Sequence, residues 1–202
     1  MKLGVIDYGA GNLRSVCNSF HSIGAEASMV CTPEDMEGLT HLVLPGVGAF
    51  GDCASKLVAQ GLTASIRQWI DADKPFLGIC VGYQVLFEEG EENPGVSGLG
   101  IFRGKVVRFS SMGLKIPHMG WNNLNLKDKS DSVWKGMGDD PFFYFVHSFF
   151  PIPEERDMVA ATCTYGEEFA AAIRRGRLLA TQFHPEKSQK TGMALLKNFI
   201  SL

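Results

Sequence analysis

No run of apolar residues in this chain approaches the roughly 18 needed to span a bilayer, so the sequence offers no membrane-crossing helix. The opening segment Met1–Asp7 reaches an acid after a very short apolar stretch, too short for a secretory h-region. Basic charge is scarce as well. The 19 Lys+Arg face 22 Asp+Glu, a formal charge of −3, which leaves no surplus to neutralise nucleic-acid phosphates or an anionic membrane surface. The cysteines Cys17, Cys31, Cys53, Cys80 and Cys163 are odd in number and form no C-x-x-C pair. Neither a disulfide framework nor a zinc site is expected from them, and no metal or cofactor is assigned. Internal repeats, low-complexity tracts and Pro/Gly/Ser-rich linkers are missing too. What is there is a chain of 202 residues, 45% of them hydrophobic, sized for one well-filled core. The expectation is a single domain over residues 1–202 of a reduced, soluble, cytoplasmic protein.

Strands alternate with helices in the first half. Lys2–Asp7 reads as a buried strand and Gly9-Ala10-Gly11-Asn12 as a turn, after which Leu13, Val16, Cys17, Phe20 and Ile23 recur at helical spacing. Ala27–Val30 reads as a second strand, Pro33–Met36 as a short helix, and His41–Leu44 as a third strand broken by Pro45-Gly46. From Asp52 to Asp71 the apolar positions keep a helical period interrupted at Gly61. Lys74–Cys80 then reads as an apolar strand continued by a helix from Val81 to Glu89. This alternation predicts an α/β fold on a parallel, doubly wound sheet. The second half predicts short strands at Gly104–Phe109, Phe142–Val146, Val159–Thr164, Phe169–Ile173 and Leu178–Phe183, the last two joined through Arg174–Arg177 as a hairpin. These would extend the sheet antiparallel, giving one mixed, mostly parallel sheet flanked by helices. A closing helix over Gly192–Leu202 would dock Met193, Leu196, Phe199 and Ile200 on it.

The sharpest local feature is Gly78-Ile79-Cys80-Val81-Gly82, a nucleophile flanked by glycines where a strand becomes a helix. Such an elbow needs glycines because the turn brings backbones close while aiming the side chain off the carboxyl end of the sheet. A helix starting after Cys80 would favour its thiolate. The plainer reading is a buried structural cysteine, which is the reading taken for Cys17, Cys31, Cys53 and Cys163. A thiolate acting on an amide also needs a base and a group to orient it. His184 in Gln182-Phe183-His184-Pro185-Glu186 fits, since residues two apart in an extended segment project to one side and Glu186 would hold the imidazole. In isolation the same residues read as a surface His and Glu around a turn proline. His147 competes for the base but has no acid following it, His21 and His118 have no comparable neighbours, and His41 reads as structural.

Oxyanion donors are the third requirement. The backbone N–H groups of Val47 and Gly48, in the turn after the third strand, and of Val81, next after the nucleophile, are the candidates, with a plain Pro-Gly turn as the alternative. Gly9-Ala10-Gly11 invites a dinucleotide reading but has Arg14 where a third glycine is required. Glu88-Glu89-Gly90-Glu91-Glu92 reads as a solvated acidic helix end.

Taken in order, Ile6–Leu13, Leu44–Phe50, Gly78–Gln84, Pro117-His118-Met119-Gly120-Trp121-Asn122, Tyr144–Ser148 and Gln182–Ser188 resemble the class I (triad) glutamine amidotransferases nearly end to end. Pro45-Gly46-Val47-Gly48 and His118–Asn122 are similar in particular to the glutaminase subunits of imidazole glycerol phosphate synthase. The chain departs from that pattern at Val81, where leucine is common, and at Phe149, where an aromatic hydroxyl is often found. The resemblance implies Cys80 as nucleophile, His184 as acid/base and Glu186 as its orienting group. It also implies glutamine contacts from Gln84 and the backbone near His147 and Ser148, with Glu92 on the substrate ammonium. A (β/α)8-barrel cyclase subunit is the implied partner, facing Asn12, Trp121, Asn122, Tyr144 and Lys187 and receiving ammonia through an internal passage. The competing readings are a stand-alone cysteine amidase and a non-enzymatic redox or binding module.

Overall fold

The computed structural model describes residues 1–9, 12–110 and 113–202. Ala10 and Gly11 of the first glycine turn, and with them the dinucleotide reading, lie outside the described residues. The first-half strands are β1 (Leu3–Ile6), β2 (Ala27–Val30), β3 (His41–Gly46) and β4 (Phe76–Cys80). All four residues of β1 and all five of β4 are buried, as strands covered on both faces must be, which is why they read as continuous apolar runs. Between them lie α1 (Leu13–Ser22), α2 (Phe50–Ala59) and α3 (Leu62–Asp71), with Gly61 in a left-handed conformation separating the last two. Each turns one apolar face inward: Val16 and Phe20 from α1, Phe50, Ala54 and Leu57 from α2, Ile66 and Trp69 from α3.

After Cys80 the helix α4 (Val81–Gln84) lasts a single turn, and the chain then forms β5 (Phe87–Gly90). The expected helix to Glu89 is therefore too long, and the acidic run belongs to a strand and its following turn. Further strands are β6 (Phe102–Arg108), β7 (His118–Asn123), β8 (Asn125–Leu126), β9 (Phe142–His147), β10 (Phe149–Pro153), β11 (Val159–Tyr165), β12 (Glu167–Arg175) and β13 (Leu178–Thr181), before α5 (Gln189–Phe199) closes the chain. In α5 the buried apolar residues are Leu195, Leu196 and Phe199, while Met193 and Ile200 are half-buried.

The main sheet has eight strands in the order β2-β1-β3-β4-β13-β12-β11-β8. From β2 to β13 neighbouring strands are parallel, and from β13 to β8 antiparallel, the mixed sheet that the sequence predicts. Not all the late strands join it, however: β10-β6-β5 form a three-stranded sheet and β7-β9 a separate antiparallel pair. Pro45 and Gly46 do not break β3 but stay in register with Ile79 and Cys80 of β4. The Leu42 N–H bonds Pro75 on the β4 side, so by alternation the N–H that Pro45 lacks would face β1, whose pairing with β3 has already ended at Val43. Among the described residues no helix is long and apolar enough to cross a membrane.

Candidate active site

The carboxyl ends of the adjacent parallel strands β3, β4 and β13 deliver three segments to one edge of the sheet. Such an edge is where open α/β folds bind ligands. Cys80 ends β4 at φ 56°, ψ −110°, a left-handed backbone that a non-glycine residue adopts only when its surroundings enforce it. The enforcement is visible in the packing. A Cβ on Gly82 would lie 2.0 Å from the Leu44 carbonyl oxygen, and one on Gly46 would lie 2.3 Å from the Gly82 nitrogen. Strand β3 and the turn after Cys80 therefore touch backbone to backbone, leaving the thiol aimed off the sheet. Because α4 is one turn long, the expected helix dipole behind Cys80 is correspondingly short.

His184 follows β13, which ends earlier than expected, at Thr181. Its Nδ1 lies 2.8 Å from Glu186 Oε1, and both side chains are 2% exposed. Sequence spacing pairs these residues correctly but through the wrong geometry. The segment is not extended: Pro185–Lys187 forms a 3-10 turn that folds the carboxylate back under the ring. Ser188 ties the turn down, donating to the His184 carbonyl at 2.6 Å while accepting the Tyr144 N–H of β9 at 2.9 Å. Burial alone would lower the imidazole, yet the Cys80 sulfur and the Glu186 carboxylate outweigh it and push His184 up to about 10. His184 Nε2 and Glu186 Oε2 are buried without hydrogen-bond partners.

Cys80 and His184 line a cleft of about 300 Å³ together with Val47, Gly48, Val81 and Gln84, and with Glu92, His147 and Ser148. Every residue named from the sequence for catalysis, oxyanion stabilisation or glutamine binding lines this cleft, except Glu186, which sits behind His184. Their hydrogen bonds narrow what each can do. Gln84 Nε2 donates to the Phe149 carbonyl at 2.9 Å and to Gln182 Oε1 at 3.1 Å, so its Oε1 is the atom left for a ligand. Glu92 accepts the Phe50 N–H at the start of α2 with one oxygen at 2.8 Å. The Ser148 carbonyl is taken by the Phe109 N–H.

His147 cannot serve as the base. Burial pushes it down to about 3, and both ring nitrogens are engaged. Its Nδ1–H donates to the Phe149 carbonyl at 2.8 Å, so its Nε2 accepts from His118 Nδ1–H at 3.1 Å. Burial holds His118 down at about 4, and its remaining nitrogen accepts from Asn122 Nδ2 at 3.3 Å. His118 shows no partner in sequence because its neighbour arrives only through the β7–β9 register His118↔His147. Gln182, which touches the Cys80 sulfur at 3.8 Å, was also missed. The signal for it was present: a lone amide in an apolar strand needs a buried partner.

Of the residues proposed to face a partner, Trp121 is 46% exposed and stacks edge-on against Tyr144, with Lys187 Nζ 5.9 Å from the Tyr144 ring. Met119 and Phe142 extend this apolar surface. Asn122 turns its amide inward, to His118 and to the Thr164 carbonyl. Asn12 is exposed at the start of α1, a helix that packs against the Pro185–Lys187 turn.

Residues 4–202 match the family described as glutamine amidotransferase class-I. The chain is 47% identical over 202 residues to the imidazole glycerol phosphate synthase subunit HisH of Synechococcus sp. (strain JA-3-3Ab), covering 99% of this chain and 93% of that protein. It is also 47% identical over 200 residues to the subunit of the same name from Methanothermobacter thermautotrophicus, covering 99% and 98%. Among solved structures, PurLQS from Thermotoga maritima superposes with a TM-score of 0.78 at 19% identity over 99% of this chain and 97% of that one. A crystal structure titled glutamine amidotransferase gives 0.75 at 23% over 98% and 97%. These two likenesses bear on the fold alone. By the extent and identity of the sequence matches, the chain belongs to the class-I glutamine amidotransferase family, on the branch of the HisH subunits of imidazole glycerol phosphate synthase.

Proposed function

We propose that residues 1–202 act as one glutaminase domain in which Cys80, His184 and Glu186 release ammonia from glutamine. The observation that carries this reading is a cysteine held at a strained elbow in the same cleft as a buried imidazole–carboxylate pair. Cys80 attacks the γ-amide carbon as thiolate beside a protonated His184, which the Cys80 sulfur and the Glu186 carboxylate push up from its ordinary value. The tetrahedral oxyanion forms beside Val47, Gly48 and Val81, whose backbone N–H groups are the available donors. His184 gives its proton to the departing nitrogen, which leaves as ammonia. The neutral ring then takes a proton from water, whose hydroxide cleaves the γ-glutamyl thioester to release glutamate and return the thiolate. Glu186 keeps Nδ1 protonated and Nε2 toward the reacting atoms throughout.

Glutamine lies along the cleft with Gln84 and the backbone near His147 and Ser148 at its amino-acid end and its ammonium toward the free oxygen of Glu92. The partner is the cyclase subunit of imidazole glycerol phosphate synthase, seated over Trp121, Tyr144 and Lys187, and the ammonia passes to it internally. Support for a docking surface there comes from the exposed apolar patch beside the cleft mouth. The protein works in the cytoplasm, consistent with its five free thiols.

Glutamate release by the purified chain, alone and mixed with the cyclase and its ribonucleotide ligand, tests this reading with Cys80→Ala in parallel. Release that needs the partner and disappears in the variant is expected. Equal release without the partner would make the protein a stand-alone amidase, and release by Cys80→Ala would refute the nucleophile.

A further inference from the structure

Gln182 stands between the end of β13 and His184, and its side chain has no exposed surface. Burying a primary amide is costly unless its ends are bonded. Its Oε1 accepts from Gln84 Nε2 at 3.1 Å, and its Nε2 faces Cys80 Sγ at 3.8 Å. Which end faces the sulfur is not free to vary. The Phe149 carbonyl can only accept, so the Gln84 atom 2.9 Å from it is the NH2 group. That same NH2 reaches Gln182, whose facing atom must then be its carbonyl oxygen, and the Gln182 NH2 is left turned to the sulfur. One backbone carbonyl thus dictates, through two side-chain amides, that the sulfur meets a donor. Gln182 does not line the cleft, so it reaches Cys80 from behind and touches no substrate.

We propose that Gln182 is a positioning residue for the nucleophile: its Nε2–H donates to Cys80 Sγ, fixing the sulfur's orientation and favouring it while it carries negative charge. The inference rests on Cys80 being the nucleophile. A donor of this kind bonds an anionic sulfur more strongly than an acylated one. It therefore acts before attack and again as the thioester collapses and sulfur leaves, and it contributes little while the acyl group is in place. A neutral amide suits the position, because a second cation there would compete with the His184 imidazolium for the same sulfur.

The test follows the rate of Cys80 alkylation by iodoacetamide against pH, read by mass spectrometry so that the other free cysteines are separated. Gln182→Leu is expected to move the pH profile up by about one unit with its alkaline plateau retained. Gln182→Glu is expected to move it further, since a carboxylate beside the sulfur opposes its charge. Partner-coupled glutamate release by Gln182→Leu should fall about tenfold in kcat with KM within about twofold. An unmoved profile in both variants, or a lowered plateau at an unmoved midpoint, would overturn the proposal and leave Gln182 a packing residue. If neither variant folds, the side-chain amide resonance of Gln182 in the wild-type protein decides the matter: it must shift when Cys80 is alkylated, and a fixed resonance overturns the proposal. Loss of the nucleophile reading is separate, because it shows as glutamate release by Cys80→Ala.

Discussion

Acidification from pH 6.5 to about pH 5 should unload stability through the imidazole pair behind the cleft. His147 is held neutral by burial down to about 3 and His118 down to about 4, against 6.5 for an unperturbed ring. A group whose folded value is depressed contributes fully above its unfolded value and loses that contribution as pH falls toward the folded one. Over this window the unfolded chain takes up protons that the native rings refuse, approaching about 1.4 kcal/mol per pH unit for each as the unfolded ring becomes fully protonated. For the fully enclosed His147, a fall of about 1.5 units costs about 1.7 kcal/mol, and His118 adds a smaller amount. Burial lowers His41 as well, so comparison with a His147 variant is what separates the cleft pair from it. Urea unfolding followed by tryptophan fluorescence reports the loss, since Trp69 and Trp134 are buried. His147→Leu should be less stable than wild type at pH 6.5, because the His118 Nδ1–H loses its acceptor, yet lose about 1.7 kcal/mol less on going to pH 5. Parallel losses in the two proteins, or a native His147 that titrates near 6.5 by NMR, would refute the reasoning.

His184 gives the opposite slope: raised to about 10, it contributes stability in full below 6.5 and loses it as pH climbs toward 10, so a stability maximum near neutrality is expected in thermal melts across pH. Glu186→Gln keeps a hydrogen-bond acceptor for Nδ1 but removes the charge; kcat should fall about tenfold to a hundredfold, and the alkaline limb of the melting profile should move to lower pH. Gly82→Ala would drive a Cβ to within 2.0 Å of the Leu44 carbonyl, so a loss of about 3 kcal/mol or more by urea titration should accompany loss of selective Cys80 alkylation. Trp121→Ala removes an exposed ring; calorimetry with the cyclase should show affinity weakened about tenfold or more while the melting temperature of the chain alone barely moves.

The tight turn at Cys80 is legible in the sequence because its determinants are local: a cysteine between two glycines at the end of an apolar strand implies the close backbone approach that Gly46 and Gly82 make. The His184–Glu186 pairing was legible as a spacing, while its geometry was not, because proline set a 3-10 turn where alternation implied an extended strand. The apolar run after Cys80 suits a helix on periodicity, yet Val81–Phe87 suits a buried turn and strand equally, and periodicity cannot separate the two over so few residues.

By itself, then, the sequence determined the parallel half of the sheet, the cysteine elbow and the histidine–carboxylate pair, all of which follow from residues within a few positions of one another. Tertiary structure decided what depends on partners distant in the chain. The β7–β9 register puts His118 against His147 across 29 residues, which removes His147 from acid–base duty. The Phe149 carbonyl orients Gln84 and, through it, the Gln182 amide 98 residues further on, because buried donors and acceptors must be matched wherever the chain brings them together.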